Sequence, residues 1–433
     1  MKKSFLHKLR EIRNNDKLRA ASTEAVLAAF VVLLPFQWDF PPISLFIMLL
    51  GVVFLFFLRR DYVQNLIASR YFWPILFYYV IVGVGLIYTD YPKEGGADMQ
   101  VQIALMAWPL GLAALNVVDD QMIRRVTLYF VRSLALSSVL LLLLATSNYL
   151  EDGSTHHFFY KHLSQWELVP QHYLSMYLTL GLLILAHRWF FFNAGMRKTL
   201  KIEILTYGAI FLVMQLLLAV RIQWLAIPLA LAPLAIRGLT TGRIGRRTKV
   251  IGTLVTAGMV VIFLLLPGTQ RRIIETYDEI RSFNEMVERK QTNHRVFLWR
   301  YGTEVIQDHW VMGTGTGGAD KALQEKLQDC EAVFWDGEKV YRLYEKEYNV
   351  HNVYLQSWMA HGIIGFITIL VIVFVPLIQS LRSGDVLTSG FLILAAVSFT
   401  TESMLERQAG IMWFAAFYSL LVISKRKQKP TAE

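Results

Sequence analysis

Apolar runs long enough to cross a bilayer recur along this chain, each bounded by a short polar turn such as Trp38-Asp39-Phe40-Pro41-Pro42. A span of about 17–25 apolar residues is the length a membrane helix needs, so the pattern predicts a polytopic helical membrane protein. Twelve spans are predicted, at roughly 20–36, 42–58, 71–88, 98–116, 126–146, 171–187, 203–220, 222–236, 250–267, 352–380, 386–401 and 409–423. The seventh and eighth meet at Arg221 with almost no loop, which leaves one long or broken helix as the alternative there. A transmembrane barrel would need alternating segments of about ten residues, and these runs do not alternate. Two outer segments are polar and long. Residues 147–170 carry His156, His157 and His162, and residues 268–350 form an insert with helical periodicity in HRVFLWRYGTEVIQDHW. The expected organisation is spans one to nine over 1–267, the outer helical insert over 268–350, and spans ten to twelve with a tail over 351–433.

Composition agrees with the pattern. The 433 residues are 55% hydrophobic and 18% charged, with mean hydropathy +0.40, too apolar for a soluble protein of this length. The net charge of +10 sits largely in short loops such as RGLTTGRIGRRTK and SKRKQKPTAE. Short Lys/Arg-rich loops mark the cytoplasmic face, so both termini are expected inside, in contact with anionic lipid, and nucleic-acid binding is not expected. The basic, polar first nineteen residues lead into the first run without a cleavage-site pattern, so that span is expected to be a retained anchor. The single cysteine, Cys330, allows no internal disulfide and no Cys-based metal site.

The candidate chemistry gathers at span ends. His351 and Asn352 stand where the polar insert meets the tenth span, so an imidazole with an ordinary pKa near 6.5 lies at the water boundary. Arg221 opens the eighth span on the same side; a guanidinium there either snorkels to the interface or faces an anion, and the local charge bias favours the second. Arg295 is expected on an inward face of the insert, and paired arginines suit a diphosphate through bidentate contacts. Asn352, Arg300, His172 and Gln356 complete the candidates as substrate-binding residues, although a solvated helix face accounts better for Arg300 and a plain helix start for His172. Gly313-Thr314-Gly315-Thr316-Gly317-Gly318 lacks the Lys-Ser/Thr of a phosphate loop and reads as a tight turn. His156, His157, His162 and His172 show no helical ligand pair with an acidic partner, so neither a metal nor a cofactor is expected. Glu402 and Glu406-Arg407 fall in the last outer turn, either as an ion pair closing it or with a carboxylate orienting His351.

His351-Asn352, nine residues, then Gly362 and Gly365 resembles the signature of the bacterial O-antigen ligases, which share a membrane family with the O-antigen polymerases. RVFLWRYGTEVIQDHWVMGTGTGGA is similar to the block preceding that histidine, and Arg221 resembles the family's other functional arginine, though Gln223 and Trp224 stand where small residues often follow. The resemblance covers roughly residues 205–410 and implies an all-α, C-type glycosyltransferase-like fold of about twelve transmembrane helices with a large periplasmic insert before the tenth. It further implies transfer of a glycan from undecaprenyl diphosphate to a sugar hydroxyl of lipid A-core, inverting and metal-independent, at the periplasmic face of the inner membrane. His351 would be the base, with Arg295 and Arg221 on the diphosphate. The alternatives are an O-antigen or capsule polymerase, a protein oligosaccharyltransferase and, from another class, a lipid-linked glycan flippase or transporter.

Overall fold

A computed structural model describes residues 12, 14–36, 51, 62–113, 118–164, 169–241, 294–329, 333–335 and 340–424. The expected spans at 42–58 and 250–267, residues 268–293 of the insert and Cys330 lie outside the described residues. The helices are α1 (Asp16–Leu33), α2 (Tyr62–Ala68), α3 (Phe72–Tyr88), α4 (Pro92–Ala113), α5 (Asp120–Asp152), α6 (Tyr160–Leu163), α7 (Gln171–Phe192), α8 (Lys198–Leu218) and α9 (Arg221–Thr240). In the insert come α10 (His294–Asp308), α11 (Ala319–Gln328) and a hairpin of β1 (Val333–Trp335) and β2 (Val340–Arg342). The chain returns as α12 (Val353–Ser383), α13 (Val386–Ser398) and α14 (Gln408–Tyr418), which ends in a π turn over Ser419–Ile423.

By length and composition, α5, α7, α8, α9 and α12 are long and apolar enough to cross a membrane, and α3, α13 and α14 with its π turn are shorter apolar helices. Their outward faces carry Val80, Val84 and Ile87, Leu136, Leu140 and Leu143, and Ile364, Ile367 and Ile378, all exposed. Three- and four-residue spacing of exposed aliphatics is costly in water and comfortable against acyl chains. Inside, Trp108, Phe130, Tyr177, Phe391, Trp413 and Phe417 are fully buried in one continuous core. Among the described residues, two ion pairs join these helices. Arg132 makes a two-pronged contact with Glu203, 2.5 and 3.0 Å, and Arg125 another with Glu24, 2.6 and 2.7 Å. An ion within an apolar span is tolerated only with such a partner.

The insert has its own apolar cluster, Phe297, Leu298, Val305, Leu323, Leu327, Leu343 and Val350, which closes on Met359 and Ala360 of α12. The hairpin, antiparallel with Phe334 opposite Tyr341, is a β element that helical periodicity did not predict. The glycine loop forms a turn, as expected, and the bend of α12 shows why it is needed. Gly362 has φ +63, ψ −163, a region open only to glycine. A Cβ there would collide with the backbone of Val311 and Met312. The freed helix groups bond to the loop instead: Ile363 N donates to Trp310 O (2.9 Å), Thr314 N to Met359 O (2.8 Å) and Gly315 N to Ala360 O (2.9 Å). Thr316 reaches α3, with its Oγ1 on Val82 O at 2.6 Å. The first turns of α12 are thereby clamped between insert and bundle.

Candidate functional site

Asn352 caps α12, its Oδ1 accepting from Tyr354 N (2.9 Å) and Leu355 N (3.0 Å), while its Nδ2 donates to Thr400 O (3.0 Å). Capping by a short polar side chain is why the helix starts here. His351, one residue earlier, has φ +48, and its N–H donates to Asn349 Oδ1 at 3.1 Å. A non-glycine residue in this region costs about 1–2 kcal/mol, so the cap and the Asn349 bond hold the imidazole in a conformation it would not choose.

The imidazole meets Glu402, in the turn between α13 and α14. His351 Nδ1 lies 3.4 Å from Glu402 Oε2; Arg295 Nη2 donates to Oε1 at 2.5 Å; His172 Nε2 is 3.7 Å from the same oxygen. One carboxylate thus gathers three cationic or basic groups from α7, α10 and the start of α12. Its side chain is 13% exposed. Burial pushes its pKa up, but the His351 bond and the His172 and Arg295 charges outweigh that and hold it below the usual carboxylate range. It is therefore an anion at neutral pH. His294 stacks on Tyr348 with centroids 5.3 Å apart and stands edge-on to His351 at 6.3 Å. Burial, then the Arg295 and His351 charges, bring His294 down to about 4, so it is neutral and adds no cation.

Arg221 sits at the N-terminus of α9. The structure settles the seventh and eighth runs as two helices, broken at Ala219, whose φ is +46, and Val220. Hydrogen bonds tie that break to the Glu402 end of the bundle. Gln171 Nε2, beside His172, donates to Leu218 O at 2.5 Å. Gln223 Nε2 donates to Ser398 Oγ at 3.0 Å and its Oε1 accepts from Thr179 at 3.0 Å. Ser398 ends α13, four residues before Glu402. The large polar Gln223 therefore ties α9 to α7 and α13, and the positive end of the α9 dipole adds to the Arg221 charge.

The remaining candidates are placed otherwise. Asn352 is occupied with the cap and Thr400. Gln356 is buried, its Nε2 donating to Asp320 at 2.7 Å. Arg300 is exposed and stands 3.7 Å from Glu304 on its own helix. Gln356, Asp98, Asp320, Glu406 and His361 line a cavity of about 20 Å³ beneath the His351 turn. Burial raises the pKa of Asp320, and burial together with Asp320 and Asp98 raises that of Glu406 well above its ordinary value. Of the four histidines considered as metal ligands, His172 goes to Glu402, whereas His156, His157 and His162 gather near Asp152.

Sequence reasoning missed His294 and Tyr348 and left Glu402 as an alternative. The adjacency of His294 to Arg295 was the available signal for the first. No local signal pairs Glu402 with residues 51 and 107 positions before it.

The family model described as O-antigen ligase matches residues 206–370. A Haemophilus influenzae protein, described only as uncharacterized, is 23% identical over 167 residues, which is 36% of this chain and 40% of the relative, so the chain spans well under half of that relative's length. The segment similar to the O-antigen ligase family, residues 206–370, is the part of the chain that holds Arg221, Arg295 and His351.

Proposed function

We propose that this protein is an O-antigen ligase, moving a glycan from undecaprenyl diphosphate to a sugar hydroxyl of lipid A-core. In this reading it crosses the bacterial inner membrane about twelve times with both termini inside, and the Glu402 end of the bundle faces the periplasm. The carrying observation is Glu402, which faces His351 Nδ1 at 3.4 Å while it holds Arg295 at 2.5 Å. A carboxylate at Nδ1 favours the tautomer protonated on that nitrogen and leaves the Nε2 lone pair as base.

The acceptor hydroxyl gives its proton to Nε2 as its oxygen bonds the anomeric carbon. The bond from that carbon to the diphosphate breaks on the opposite side, so the configuration inverts. Undecaprenyl diphosphate departs with the electron pair. The charge growing on it is met by the Arg221 and Arg295 guanidiniums and the α9 N-terminus. The glycan polymerase of the same family would share this donor chemistry and differ in its acceptor.

The test is transfer by purified protein from undecaprenyl diphosphate-linked glycan to rough lipopolysaccharide, resolved on a gel. Glycan on lipopolysaccharide with the intact chain, and none with His351→Ala in equally well inserted protein, is expected. Elongated lipid-linked chains with unmodified lipopolysaccharide would assign the polymerase reaction. No product of either kind would reopen the transporter reading.

A further inference from the structure

The outer end of α5 carries a second group of side chains that the transfer chemistry does not use. Helix α5 ends at Asp152, and Gly153 reverses the chain with φ +70, its N–H on Tyr149 O at 2.8 Å. Ser154 N donates to Asp152 Oδ1 at 2.8 Å, which fixes the carboxylate. The 3₁₀ turn Thr155–Phe158 then brings two imidazoles back over it. His157 Nε2 lies 2.7 Å from Asp152 Oδ2, and Ser154 Oγ bonds His156 Nδ1. The two rings are 3.9 Å apart, and His162 stands edge-on to His156 at 4.8 Å. One ligand atom from each of Asp152, His156 and His157 lies within 4.8 Å of the others, the one such group of three among the described residues. The acidic partner that the histidine spacing seemed to lack is therefore Asp152. It went unnoticed because a helix end and a 3₁₀ turn, rather than one helical face, create the contact.

We propose that Asp152, His156 and His157 bind a divalent first-row transition ion, with Zn²⁺ as the representative, and that His162 lies within reach as a further ligand. Two imidazole nitrogens and one carboxylate are the donor set of borderline ions; Mg²⁺ and Ca²⁺ prefer oxygen alone. Ligand atoms around one tetrahedral Zn²⁺ stand about 3.4 Å apart, so small side-chain rotations close the site. The Ser154 contacts supply the outer hydrogen bonds that orient metal-binding carboxylates and imidazoles. Asp152 is 47% exposed and His157 15%, so an ion reaches the group from solvent without opening the fold.

The test uses full-length, untagged protein in detergent, stripped with EDTA and dialysed. Zn²⁺ is titrated by calorimetry, and bound zinc is counted by elemental analysis. One Zn²⁺ per chain is expected, undisturbed by a large excess of Mg²⁺. His157→Ala and Asp152→Asn should each weaken binding at least tenfold, and His156→Ala/His157→Ala should abolish it, with wild-type unfolding midpoints in EDTA. Should the double variant unfold, the Asp152→Asn titration decides alone. Zinc content that is substoichiometric, displaced by Mg²⁺, or equal in wild type and variants would overturn the site.

Discussion

Glu402→Gln is the substitution that tests the site most directly. It keeps the shape of the side chain but removes the charge to which Arg295, His351 and His172 all turn. In a tightly bonded Ser-His-Asp site, replacing the aspartate by asparagine costs about 10⁴ in turnover, because the imidazole is held in the wrong tautomer. Here Nδ1 and the carboxylate are 3.4 Å apart, a looser contact, so the expected loss in kcat is about 100- to 1,000-fold, or about 2.7–4 kcal/mol of transition-state stabilisation. The donor's KM should move less, since Arg221 and the α9 N-terminus are untouched and Arg295 keeps its charge although it loses the Glu402 contact. Stability should fall by about 1.5–3 kcal/mol, the worth of a charged hydrogen bond at a largely buried carboxylate. In the wild type this contribution depends on pH. The folded pKa of Glu402 lies below its ordinary 4.5, so the stabilisation is complete above that value and is lost as pH falls through the folded one. The assays are steady-state transfer with KM and kcat separated, and thermal unfolding across acid pH. Turnover within about twofold of wild type, in protein whose unfolding midpoint has fallen, would refute the orienting role and leave Glu402 a structural ion-pair partner.

Arg221→Lys should lose most transfer in vitro, because a point charge replaces a planar fork; turnover like wild type would mean that the guanidinium only anchors the interface. Gly362→Ala should cost about 2–4 kcal/mol or prevent accumulation in the membrane, as a Cβ is barred both by φ +63 and by the Val311 backbone; thermal unfolding of detergent-solubilised protein measures it. Glu406→Gln should stabilise the protein at neutral pH. A carboxyl whose folded pKa is raised above 4.5 lowers stability as pH climbs past that value, so unfolding midpoints from about pH 5 to 8 should decline in wild type and flatten in the variant.

Much of this molecule is written locally. Apolar run lengths predicted α3, α7, α8, α9, α12, α13 and α14 to within about five residues, because a helix must present apolar side chains to lipid along its whole span, whereas α5 runs six residues past its expected span at each end. The start of α12 was legible in the same way, from the unbroken apolar run that follows His351 and Asn352, and so was the glycine loop as a turn. The break before Arg221 was visible as a missing loop, although only the left-handed Ala219 decided between one helix and two.

What the tertiary structure decided is which distant groups share a space. Glu402 meets His351 and Arg295 only because α10, α12 and the α13–α14 turn converge, and a period of 3.6 residues carries no record of that neighbour choice. The same holds for Asn352 and Gln356, whose polar groups go to Thr400 and Asp320, and for Asp152 beneath His157. Capping and amphipathicity act over one or two turns and can be read in order along the chain. Ion pairing, burial and the clamp on Gly362 act between helices that lie far apart in sequence, so their partners exist only in the folded bundle.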